Sequence, residues 1–60
     1  MKHRDLIKLL EADGWRLKRG KGGHDVYVKP GFPRPVPVGR HREIKDLDAE
    51  DILKEAGIKR

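Results

Sequence analysis

The chain has 60 residues, with 15 Lys and Arg against 10 Asp and Glu, a formal charge of +5 and a sequence pI near 9.9. Its length sets a ceiling of one domain, 1–60, since a domain of about this size buries only about 60% of the surface its unfolded chain exposes, and the lack of cysteine removes disulfide staples and cysteine-based zinc sites. No apolar run approaches the roughly 18–20 residues of a membrane span, and no signal-type apolar region follows the basic start. The sequence therefore predicts a basic cytoplasmic domain that avoids membranes and attracts polyanions.

From Lys2 to Asp13, Leu6, Ile7 and Leu10 recur at helical spacing, with Leu9 widening the stripe. This is an amphipathic helix, with Lys2 or His3 as a poor N-cap. Gly14 stands where a left-handed C-cap is wanted, and Trp15 is the apolar residue that packs back on the last turn. Trp15 to Arg19 alternates apolar and basic, as a half-buried strand does, before Gly20-Lys21-Gly22-Gly23 breaks regular structure. His24 to Lys29 is a second strand, whose parity puts His24, Val26 and Val28 on one face and Tyr27 on the other. Pro30 to Pro35 must be an irregular loop. Val36-Pro37-Val38 is a short third strand, placed at an edge because Pro37 lacks an N–H.

After the basic connection Gly39 to Lys45, Asp48 is the expected N-cap of a second helix, with Leu47 stapled to Ile52. That helix runs through Ala56 and stops at Gly57, with Ile58 as its returning contact. The expected core is Leu6, Ile7, Leu10, Trp15, Leu17, Val26, Val28, Val38, Ile52 and Leu53. The order is helix, three strands, helix. A three-stranded antiparallel sheet with two helices on one face, an α+β fold, buries both helical stripes.

The glycine segment running into His24 carries the most chemistry. Closely spaced glycines let backbone N–H groups approach an anion, and Lys18, Arg19 and Lys21 add positive charge beside Gly22 and Gly23. An imidazole can take or give a proton at neutral pH. RNA supplies its own 2′-hydroxyl nucleophile, so a histidine with phosphate-binding groups is a sufficient apparatus for its cleavage. On strand parity alone His24 serves equally as a histidine capping the sheet's end, and a flexible hairpin accounts equally for the glycines. His41, between Arg40 and Arg42, is placed in a basic loop ahead of any second catalytic role. Tyr27 is assigned to covering the sheet ahead of base stacking, and Asp25 points away from His24 and forms no dyad with it. His3, His24 and His41 are scattered, so no metal site and no cofactor are expected.

Four stretches in order, RDLIKLLEADGW, GKGGHDVYVKP, VPVGRHREI and ILKEAGI, are similar to the HicA-type (YcfA-like) mRNA interferase toxins of toxin–antitoxin pairs. The resemblance implies an α-β-β-β-α fold like that of double-stranded-RNA-binding domains. It also implies endoribonuclease activity on mRNA without a metal, and a HicB-type antitoxin as partner. The family's catalytic histidine matches His24, and Gly22 and Gly23 match the turn before it. The alternative is a small RNA-binding module without catalysis, which would bind RNA in a salt-sensitive way and leave it intact.

Overall fold

The computed structural model describes residues 1–58, apart from the side chain of Lys21. Its elements are α1 (His3–Ala12), β1 (Arg16–Lys21), β2 (His24–Val28), β3 (Val36–Gly39) and α2 (Asp46–Glu55). The strands form one antiparallel sheet in the order β1-β2-β3, so β3 is at an edge, where a proline is tolerated. Among the described residues, no helix is long and apolar enough to cross a membrane.

Both helices end as their glycines dictate. At the end of α1, Gly14 takes a φ of 101°, its N–H donates to Glu11 O at 3.0 Å and the Trp15 N–H donates to Leu10 O at 3.0 Å. At the end of α2, Gly57 takes a φ of 72°, with Gly57 N–H donating to Lys54 O at 3.0 Å and Ile58 N–H to Leu53 O at 2.9 Å. Each is a complete Schellman motif, which satisfies carbonyls that the helix itself leaves free. Gly14 thereby delivers Trp15 into the core, where it is fully buried.

The core joins Leu6 and Leu10 of α1, Trp15, Tyr27 of β2, Val36 and Val38 of β3, Ile44, and Ala49, Leu53 and Ala56. Both helices therefore cover the same face of the sheet. Ile7 and Ile52 are only partly buried against this cluster. Three expected core residues are not in it. Tyr27 pairs with Val36, and Asp25 with Val38, so the covered face of β2 is that of Asp25 and Tyr27, while Val26 and Val28 lie half-buried on the open face. Leu17 shares the Tyr27 register but is 56% exposed, at a bulge in β1 between Leu17 and Arg19.

Two boundaries also differ from expectation. β1 continues through Gly20 and Lys21, so the break is only Gly22 and Gly23. α2 starts at Asp46 with Lys45 as N-cap and no side-chain capping bond, which puts Asp48 inside the first turn. Leu47 is 75% exposed and staples nothing. The residues at the staple positions are instead Ile44 and Ala49, both buried. The connection before α2 is held by the chain's start: Lys2 bridges Glu43, and the His3 N–H donates to Arg42 O at 3.0 Å. Register therefore selects where the helix begins.

Candidate active site

Gly22 and Gly23 have φ of 54° and 81° and are the two central residues of a hairpin closed by the pair Lys21 and His24. Positive φ at both positions is what a type I′ turn requires, and its twist matches that of the flanking strands. A Cβ at either glycine would meet nothing within 4 Å, so the requirement is conformational rather than one of space. The turn puts His24 at the first position of β2 with its side chain exposed. Its Nδ1 lies 3.4 Å from the Gly22 carbonyl oxygen, which accepts when Nδ1 carries the ring proton.

Register decides which basic residues accompany it. Residues opposite one another in an antiparallel pair project from one face. Lys21 pairs with His24, Arg19 with Val26 and Arg16 with Val28, so all three belong to the open face. Lys18 is the extra residue of the β1 bulge and has no partner in the register. The side chain of Lys21 lies outside the described residues, and its strand position alone is placed beside His24. Arg16 is turned back on α1, donating from Nη1 to Trp15 O at 2.8 Å and to Glu11 O at 3.1 Å. Arg19 is thus the described basic side chain that shares His24's face and is committed to no such bond.

Arg40 was not singled out by its sequence position, yet it ties this end of the sheet together. Its backbone N–H donates to Gly23 O at 3.0 Å, and its Nε donates to Asp25 Oδ1 at 2.8 Å. The guanidinium lies over Gly20, where any side chain would overlap it. Asp25 therefore faces away from His24, as its strand parity predicted, and is occupied by Arg40. The signal in the sequence was faint: a glycine inside a strand, which marks close approach by another group.

Behind this clamp opens a cleft of about 730 Å³ between the start of α1 and the β3–α2 connection. Lys2, Arg4, Arg40 and Arg42 line it with His3 and His41, and its acids are Asp25 and Glu43. Among the described residues, Lys2, Arg4 and Arg42 have no carboxylate partner. No group of three or more metal-ligating side chains comes together among the described residues. The arrangement offers an exposed imidazole at a tight turn, with positive charge on both sides of the sheet end.

Residues 3–58 match the family described as HicA toxin of bacterial toxin–antitoxin systems. The chain belongs to the HicA toxin family. A solved chain from a toxin–antitoxin complex of Streptococcus pneumoniae is 37% identical to it, with a TM-score of 0.84 over 97% of this chain and 98% of that one. Comparison with curated proteins gave no match. As a HicA toxin the protein is the toxin half of a toxin–antitoxin pair, and its α-β-β-β-α order is the fold expected of one.

Proposed function

We propose that this HicA toxin, as one domain spanning 1–60, is an endoribonuclease that cleaves mRNA by acid–base catalysis through His24. The observation that carries the reading is an exposed imidazole held at a glycine turn on the open, basic face of the sheet. RNA binds along β1 and the hairpin. Arg19, Lys18 and Lys21 attract its backbone, and the N–H groups of Gly22 and Gly23 approach the scissile phosphate, which glycine alone allows so closely. His24 moves the proton of the attacking 2′-hydroxyl, so the substrate supplies the nucleophile and no metal is needed to create one. The product is a 2′,3′-cyclic phosphate, or the monophosphate its hydrolysis gives, and a free 5′-hydroxyl.

A HicB-type antitoxin neutralises the toxin by covering this face. The solved relative was captured in a toxin–antitoxin complex, which supports a protein partner of that kind. The test is to induce the protein and its His24→Ala form in bacteria and to incubate both with RNA. The wild type is expected to arrest growth and cut RNA, and the variant to lose about 10²–10⁴-fold in rate, the usual contribution of a positioned acid or base. Equal cutting by both removes His24 from catalysis. Salt-sensitive binding with intact RNA would instead make the protein a non-catalytic RNA-binding module.

A further inference from the structure

Transesterification of RNA moves two protons, one off the attacking 2′-hydroxyl and one onto the departing 5′ oxygen, and the reading above employs one histidine. A second group can be found from the sheet itself. Gly39 of β3 is the register partner of His24. A side chain at Gly39 would therefore project from the same open face as His24, opposite to buried Val38. The point where its Cβ would stand is in tight contact with the imidazole of His41, with Cδ2 at 3.2 Å and Nε2 at 3.7 Å. Opposed Cβ positions in an antiparallel pair are about 4.5–5.5 Å apart. Arg40 turns to the covered face to reach Asp25, while the His41 ring, at the rim of the cleft, lies against the open side of Gly39. The His41 ring therefore lies against the strand position paired with His24, and both side chains are exposed.

We infer that His41 is a second catalytic residue, the general acid that partners His24 in RNA cleavage. The assignment of roles follows from the turn. In the tautomer whose Nδ1 carries the ring proton and donates to Gly22 O, Nε2 of His24 holds the free lone pair and accepts the 2′-hydroxyl proton. The 2′ oxygen bonds to phosphorus, the bond from phosphorus to the 5′ oxygen breaks, and a protonated His41 gives its proton to that oxygen. His24 ends protonated and His41 neutral, with a 2′,3′-cyclic phosphate and a 5′-hydroxyl released, and proton exchange with water restores both. Gly39 belongs to this arrangement, since any larger residue would press on the His41 ring.

The inference rests on the endoribonuclease reading, and leaving-group chemistry tests it separately. The cut site of the wild type is mapped on an oligoribonucleotide, and a second oligoribonucleotide carries sulfur in place of the bridging 5′ oxygen there. A thiolate leaves without a proton. His41→Ala and His41→Gln are expected to cut the ordinary strand about 10²–10⁴-fold more slowly than wild type and the sulfur strand nearly as fast as wild type. His24→Ala is expected to be slow on both. A His41 variant that is equally slow on the two strands, or as fast as wild type on the ordinary one, overturns the role of His41 while leaving His24 in place. A wild-type protein that cuts neither strand overturns the endoribonuclease reading and this inference with it. Unchanged thermal melting of the variants, expected because His41 is exposed, separates lost chemistry from lost structure.

Discussion

Single residues in this protein are constrained by backbone geometry more than by contact. At Gly23 the space around Cβ is open, yet φ is 81°, a conformation that costs an L-residue roughly 1–2 kcal/mol. Gly23→Ala should lower stability by about that amount in denaturant melts. Gly20 is the converse case, with ordinary φ and no room. Gly20→Ala should displace the Arg40 guanidinium and release Asp25, and a double-mutant cycle with Asp25→Asn would read the coupling as non-additive stabilities. Tyr27 adds a pH dependence. Burial first, then the carboxylates of Asp25 and Glu11, raise its phenol above the usual value of about 10. The folded chain thus holds that proton more tightly than the unfolded one, so the stabilisation is complete below about pH 10 and is lost as pH rises through the folded value. Tyr27→Phe should flatten the alkaline limb of a stability–pH curve, and an unchanged limb would exclude Tyr27 as its cause.

Among the elements, the most consequential join is the one between α1 and the sheet. Trp15 is delivered by the Schellman turn into the core, and its ring meets Phe32 edge-on at 5.1 Å between centroids. Phe32 itself is set by the turn Lys29-Pro30-Gly31-Phe32. Gly31 has a φ of 90°, and the Phe32 N–H donates to Lys29 O at 3.1 Å, as a type II turn with Pro-Gly at its centre requires. Lys29 Nζ lies 5.0 Å from the Phe32 ring centroid and pairs with Asp13 at 2.9 Å. One aromatic contact therefore links the end of α1 to the loop between β2 and β3. Trp15→Ala removes about 3–5 kcal/mol, which for a domain of this size is comparable to its entire stability. Circular dichroism should show that variant largely unfolded at 37 °C. Neither helix has a side-chain N-cap, and the segment before α2 is tied to the chain's start by the bridge between Lys2 and Glu43.

Across the whole molecule, charge is divided between two regions. The open face, the hairpin and the cleft carry Arg19, Arg40, Arg42, Lys2 and Arg4, while α2 carries Asp46, Asp48, Glu50, Asp51 and Glu55. A net +5 therefore understates the field where an RNA strand would approach. Neutralising Arg4 and Arg42 together to Gln should weaken RNA binding and reduce the magnitude of the slope of log K against log salt by about 1.4, the value for two lost single-strand phosphate contacts. Reversing Asp48 and Glu50 to Lys should leave that slope unchanged, unless RNA also follows α2.

The sequence by itself determined what short-range chemistry controls. Apolar spacing and a terminal glycine locate α1 and the end of α2, a glycine pair before His24 makes the hairpin, and proline puts β3 at an edge. Each of these depends on neighbours a few residues away, through φ, helical period or a missing N–H. Only the tertiary structure decided which face of β2 is covered. The two valines were expected to be the covered side, and the pairing of Tyr27 with Val36 beneath both helices reversed that choice. The start of α2 was likewise not readable from Asp48: Lys45 is its N-cap, and the segment before it is tied to the chain's start by the bridge between Lys2 and Glu43. The same holds at the candidate site. Arg40 and Asp25 are 15 residues apart, and His41 lies against Gly39, which only the sheet register places opposite His24. Such meetings follow from strand register, which the summed packing of the sheet sets and no local pattern records.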